Sequence, residues 1–231
     1  MSKLKDFLFS SKVAILLLTE MLLGIFLSIS SNVLFIKLST EVFEQPAFIY
    51  DQTISQIIYS LRSPLLTKIM LLITHLGGSY VLIPATIITI FLIIRKHQEE
   101  AFLFSIILIM GLILNTSLKS ILHRPRPDIT PLINETSYSF PSGHAMNSFV
   151  FYTTVSFYSF RFTRKKKLSI FISFASLLMI LLIGFSRVYL GVHYPTDILA
   201  GYFAGLAWFA TAIFMEKTIF FFKYLKAEEK Q

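Results

Sequence analysis

Apolar runs long enough to form membrane-crossing helices alternate along this chain with short polar segments. A hydrocarbon layer of about 30 Å takes roughly 20 helical residues, and helices are the default there because backbone polar groups find no water. Six runs fit, approximately residues 13–36, 79–94, 101–118, 145–160, 168–185 and 198–222. They predict an all-α polytopic membrane protein, six transmembrane helices in a bundle. Residues 37–63 are mixed and polar, with Pro46 and Asp51, but Ile54, Ile57, Ile58 and Leu61 recur at helical spacing. That pattern predicts a short interfacial helix in the first external segment.

Residues 64–76 are also apolar, up to a Gly77-Gly78 bend or loop, yet only one crossing fits before the basic Arg95-Lys96 turn. The polar stretch 119–143 carries Pro125, Pro127, Pro131 and Pro141 and reads as an external loop. Pro195 is placed to open the last helix. No repeat or linker divides the chain, so residues 1–231 read as a single membrane-embedded domain whose motif-bearing core is 101–222.

Composition agrees with that picture. Of the 231 residues 55% are hydrophobic, only 15% are charged and 24 are Phe, which excludes an ordinary soluble domain. A net charge of +8 could suggest nucleic acid, but the basic residues gather at the membrane edges. Lys3, Lys5 and Lys12 precede the first run, and Arg95 and Lys96 follow the second. Arg161, Arg164, Lys165, Lys166 and Lys167 separate the fourth and fifth, and Lys223, Lys226 and Lys230 follow the sixth. The positive-inside bias makes these segments and both termini cytoplasmic, in a plasma membrane. The first run has the basic start of a signal peptide, but Gly24, Ser28 and Ser30 make a poor cleavage site, so it is expected to remain as an anchor. The chain has no cysteine, which removes disulfides, thiolate metal sites and thiol nucleophiles together.

This topology brings three unusual groups to one membrane face: Lys119 with Arg126-Pro127, then Pro141-Ser142-Gly143-His144, then Ser186-Arg187 with His193 and Asp197. Ionisable residues near hydrocarbon are expensive, so their convergence points to function. Lys119, Arg126 and Arg187 could hold a phosphoryl group and offset its charge, as metal ions do elsewhere. Ser142 and Gly143 supply a helix N-terminus aimed at an anion. Asp197 falls in the first turn after Pro195, where it can reach back to His193, fix its tautomer and leave the other nitrogen free to attack phosphorus. His144, on another helix, is placed to protonate the leaving oxygen and then to activate water.

These residues resemble the three motifs of the membrane-bound type 2 phosphatidic acid phosphatases, relatives of the vanadium haloperoxidases. Lys-x6-Arg-Pro is met by residues 119–127, Pro-Ser-Gly-His by 141–144, and Ser-Arg-x5-His-x3-Asp by 186–197. The resemblance implies His193 as nucleophile, Asp197 as its partner, His144 as acid and base, and Lys119, Arg126, Ser142, Gly143 and Arg187 as the phosphate site. It implies no metal or cofactor. The expected partners are a lipid phosphate and the bilayer, not nucleic acid. Bacterial members similar to this chain act on undecaprenyl pyrophosphate, phosphatidylglycerophosphate or phosphatidic acid, and the motifs do not separate these.

Other polar residues carry blander expectations. Arg124 reads as a solvated or headgroup-contacting charge, with substrate contact left open by its Arg-Pro repeat, and His75 and His123 read as histidines hydrogen-bonded in packing, with a place in the headgroup cleft left open for His75. Glu20 lies roughly 12 Å beyond Lys12 along the first helix and reads as a protonated or paired structural group. Tyr138, Tyr152, Tyr189, Tyr194 and Tyr202 read as an aromatic belt. Two other functions remain open: a phosphotransferase using the same intermediate, and a non-catalytic protein that only binds lipid headgroups.

Overall fold

The computed structural model describes residues 12–44, 49–128, 131–163 and 165–228. Lys3, Lys5, Pro46, Arg164 and Lys230 lie outside them. The described residues form eight α-helices: α1 Lys12–Glu44, α2 Ile49–Ser60, α3 Pro64–His75, α4 Ser79–Ile94, α5 Gln98–Ile121, α6 Gly143–Phe162, α7 Lys166–Tyr189 and α8 Pro195–Glu228. Local sequence explains several boundaries. Ser63 accepts from the Leu66 N–H ahead of α3, with Pro64 in the first turn. Glu99 and Glu100 sit in the first turn of α5, where the helix dipole favours carboxylates. α1 runs eight residues past the expected end at 36, since no proline interrupts it.

A helix occupies each of the six expected spans. By length and composition, α1, α5, α7 and α8 can cross a membrane, α4 is a shorter apolar helix, and α2 and α3 together form an apolar pair bent by 120°. The polarity of α6 has a structural reason. It packs among α5, α7 and α8 instead of facing lipid, and its hydroxyls turn inward: Thr154 donates to the Val150 carbonyl at 2.6 Å, and Ser156 pairs with Ser173 on α7 at 2.7 Å.

Large apolar side chains point outward, including Leu22, Phe26 and Ile29 on α1, Ile87 and Phe91 on α4, and Phe171 and Phe174 on α7. Such a surface suits lipid. Small residues and polar contacts join the helices inside, as lipid-embedded packing favours. α1 lies along α8, where Ser28 and Thr211 share a 2.7 Å hydrogen bond. Glu20 on α1 is indeed paired, its carboxylate 2.5 Å from Lys217 Nζ on α8. Arg161 at the end of α6 bonds Glu216 and lies 3.7 Å from Glu100.

A helix, α2, forms in the first external segment as expected, but its faces are reversed relative to a soluble amphipathic helix. Asp51 and Ser55 are buried against the protein, while Ile54, Ile57 and Leu61 are exposed. Gly77 and Gly78 form the turn between α3 and α4. Two of the five tyrosines expected in the aromatic belt are instead internal. Tyr189 is fully buried and hydrogen-bonds Thr67 and the Ser63 N–H, and Tyr202 bonds the Ile180 carbonyl at 2.6 Å. These hydroxyls pin helices together because a buried phenol needs a partner. His75 is exposed, contrary to the packing expectation, and His123 is also exposed, its ring 4.5 Å from that of Tyr138.

Candidate active site

One end of the bundle collects the end of α5, the start of α6, the end of α7 and the start of α8, with the α3–α4 turn beside them. Gly191, at φ 79°, takes the left-handed conformation that turns the chain from α7 toward His193. His193 is 1% exposed and Asp197 fully buried. The imidazole Nδ1 lies 3.3 Å from Asp197 Oδ2, which orients the ring so that Nε2 faces the opposite way. There Nε2 meets Arg126 Nη1 at 3.3 Å. Burial holds the His193 imidazole well below its ordinary value, although the Asp197 carboxylate opposes the shift. The ring is therefore neutral, with an unshared pair available on nitrogen.

Arg126 is fixed by the loop that follows α5. Its Nε donates to the Ser137 carbonyl and its Nη1 to the Val192 carbonyl, both at 2.7 Å. Lys119 Nζ donates to the Tyr138 carbonyl at 2.6 Å. Arg187, 1% exposed, donates to Thr74 Oγ1 at 3.0 Å through Nη1 and to Glu135 through Nη2, while its Nε has no hydrogen-bond partner among the described residues. His144 lies within electrostatic reach of Arg187, Glu135, His193 and Lys119. Its Nε2 would sit 3.4 Å from a Cβ placed on Gly78. The backbone N–H of Ser142 donates to the Asp197 carbonyl at 3.0 Å, and the Ser142 hydroxyl caps α6 by accepting from Ala145 N. Gly143 packs on Asn115 and Lys119 so closely that an added Cβ would fall 2.9 Å from Asn115 Oδ1. The eight residues singled out from the sequence thus gather at one end of the bundle: three cations, two imidazoles, one carboxylate and a helix N-terminus.

Four further participants were not among those eight. Ser139 donates to Asp197 and lies 3.3 Å from His193 Nδ1. Glu135 bridges Arg187 and, at 3.9 Å, Arg126. Burial favours its neutral acid, yet the two guanidiniums outweigh burial and hold it below the usual carboxylate range. Arg124, expected to be solvated, is instead 4% exposed and bonds Asp197 Oδ1 at 2.6 Å and Asp51 Oδ2 at 2.7 Å. Its Arg-Pro-Arg-Pro context was the available signal. The fourth is Asp51, and nothing in its spacing announces it.

The fold defines a multi-pass membrane protein whose cations, imidazoles and buried carboxylate converge at one end of its helix bundle. The chain belongs to the PAP2 superfamily, whose family model matches residues 100–220, and it is a phosphatase of that family. It is 37% identical over 163 residues to phosphatidylglycerophosphatase B of Bacillus subtilis, covering 69% of this chain and 79% of that protein. It is 28% identical to the undecaprenyl-diphosphatase of Sulfolobus acidocaldarius, covering 61% and 66%. The crystal structure of a transmembrane PAP2-type phosphatidylglycerolphosphate phosphatase from Bacillus subtilis matches with a TM-score of 0.78 at 31% identity, covering 83% of this chain and 96% of that one.

Proposed function

We propose that the chain hydrolyses a phosphate ester or diphosphate of a membrane lipid, at the extracytoplasmic face, through a phosphohistidine on His193. The observation that carries this reading is the aim of His193: Nδ1 on Asp197, Nε2 toward Arg126. In the first step the Nε2 lone pair attacks phosphorus and the bond from phosphorus to the lipid-side oxygen breaks. That oxygen takes a proton from His144, while Asp197 stabilises the positive ring. In the second step water gives a proton to His144 and attacks phosphorus; the P–N bond breaks and His193 returns neutral. Lys119, Arg126 and Arg187 balance the charge on the equatorial oxygens. They take the role metal ions have elsewhere, so turnover is expected to persist in chelator.

A lipid substrate is supported by an apolar cavity of about 300 Å³ between α4, α5 and α6, lined by Ile83, Ile87, Leu108 and Phe151 among others. Its rim includes Ser79, next to the Gly78 that faces His144, and Asn147, one turn beyond His144. The relatives' names agree, since phosphatidylglycerophosphate and undecaprenyl diphosphate are both lipid phosphates. In this reading α1 and α4 to α8 make six crossings and both termini are cytoplasmic, because the basic clusters then share one side. The absence of native cysteine allows a direct check of topology. A cysteine at Leu132 is expected to react with an impermeant maleimide from outside the cell and one at Lys165 only after permeabilisation; the reverse pattern overturns the orientation.

The test of function is phosphate release by purified protein in proteoliposomes containing EDTA, with phosphatidylglycerophosphate, undecaprenyl diphosphate or phosphatidic acid as substrate. At least one is expected to turn over, and His193→Ala to abolish the turnover. Full activity in His193→Ala, or activity that requires added magnesium, refutes the reading. Label appearing in an acceptor alcohol in place of free phosphate would identify a phosphotransferase instead.

A further inference from the structure

We propose that Asp51, on a helix outside the segment matched by the family model, is a positioning residue for the nucleophile: through Arg124 it holds the Asp197 carboxylate against His193. The inference rests on the reading of His193 as nucleophile. α2 turns Asp51 inward, where it is 1% exposed. Asp51 Oδ2 accepts from Arg124 Nη2 at 2.7 Å and from the Thr196 hydroxyl at 2.5 Å, and Oδ1 accepts from the Thr196 N–H at 2.9 Å. The other terminal nitrogen of Arg124 donates to Thr196 Oγ1 at 2.8 Å and to Asp197 Oδ1 at 2.6 Å. One guanidinium is thereby shared between two carboxylates, and the Tyr194 ring, 4.3 Å from its carbon, fixes its plane. The same residue reaches the site by a second route: the Arg124 carbonyl accepts from the Ser139 N–H at 3.0 Å, and the Ser139 hydroxyl donates to Asp197 Oδ2.

A buried ion pair is a weak source of net stability, because desolvation consumes most of the attraction. What this cluster does supply is geometry. Asp197 Oδ1 is anchored by Arg124, which leaves Oδ2 to His193, Ser139 and the Tyr194 N–H. Asparagine at position 51 cannot preserve the arrangement. Both oxygens of Asp51 accept from donors, so an amide NH₂ in either orientation meets a donor, Arg124 Nη2 or the Thr196 N–H. The guanidinium must then turn, and Asp197 with it.

The experiment compares wild type, Asp51→Asn, Asp51→Glu and Thr196→Val in nanodiscs by steady-state turnover and by rapid-quench capture of ³²P on the protein. Asp51→Asn is expected to lower kcat on the order of 10- to 100-fold, as a misplacement of about 1 Å does, with KM within about twofold. Asp51→Glu, which restores the charge on a longer arm, is expected to recover part of the loss. Thr196→Val keeps both charges and cuts only the hydroxyl between Arg124 and Asp51, so it carries the test if Asp51→Asn does not fold. Its kcat is expected to fall about 5- to 100-fold, the equivalent of the two buried hydrogen bonds the hydroxyl makes. Wild-type kcat in either folded variant, or a loss carried by KM alone, overturns the proposal. Absence of label on His193 in the wild type overturns the nucleophile reading first, and this proposal with it.

Discussion

Gly201→Ala probes the closest approach between the two helices that build the site. Gly201 lies one turn into α8 from Asp197, against the start of α6. A Cβ there would fall 2.9 Å from the Ser142 carbonyl oxygen, 3.0 Å from Ala145 Cβ and 3.1 Å from Met146 N. Two of these are backbone atoms, and no side chain can swing aside to make room. Ordinary contact begins near 3.4 Å, so α8 must retreat from α6 by about half an ångström. That retreat strains the 3.0 Å bond from Ser142 N to the Asp197 carbonyl, and it separates the helix bearing His144 from the turn bearing His193. Overpacking of this kind costs about 1–3 kcal/mol, read as about 2–4 °C in Tm for each kcal/mol in a chain this size. The effect on kcat is larger, about 10- to 100-fold, because the two imidazoles no longer face one phosphorus. The assay is lipid phosphate turnover beside thermal unfolding in the same detergent. Gly24→Ala serves as control: its Cβ meets Phe214 Cβ at 3.3 Å on the distant α1–α8 contact, and its kcat is expected to stay within about twofold. A Gly201→Ala protein with wild-type kcat and Tm refutes the close approach of α6 and α8.

Two further outcomes follow from the charges. Glu135 occupies the arginines that phosphate must reach, so Glu135→Gln is expected to bind inorganic phosphate several-fold more tightly as a competitive inhibitor; an unchanged or weaker inhibition constant contradicts this. Burial pushes His193 from the ordinary 6.5 down to about 3, so below pH 6.5 the unfolded chain takes up a proton that the folded chain refuses. Its contribution to stability is present above 6.5 and lost as pH falls. Between pH 7.5 and 5 the wild type is expected to lose about 2 kcal/mol more than His193→Asn. Equal losses in chemical unfolding would contradict the burial of a neutral ring.

Much of this architecture was legible because its signals are local. The six apolar runs, the basic residues between them and the motif spacings each lie within a few turns of chain, and Asp197 follows His193 by one helical turn. What escaped depends on pairings between distant segments. Asp51 and Arg124 are 73 residues apart, and Arg187 and Glu135 are 52 apart; no periodicity links such partners. Arg124 was misread for a physical reason: charge in a polar loop is normally solvated, and only the inward carboxylates of α2 and α8 make its burial tolerable. Burial favours loss of its proton, but Asp197 and Asp51 outweigh that and keep it charged. Tyr189 and Tyr202 failed as belt residues because tyrosines near a membrane face can as well bind a buried carbonyl or hydroxyl as a headgroup.

The most direct measurement is the fate of phosphorus during one turnover. Wild-type protein mixed with ³²P-labelled lipid phosphate and quenched in base is expected to carry label that is stable to alkali, labile to acid and confined to the peptide containing His193. The label should vanish in His193→Ala, while in His144→Ala both its appearance and its loss should slow, because the same imidazole protonates the leaving oxygen and activates water. Turnover without any labelled protein, or label that survives loss of His193, would contradict the account.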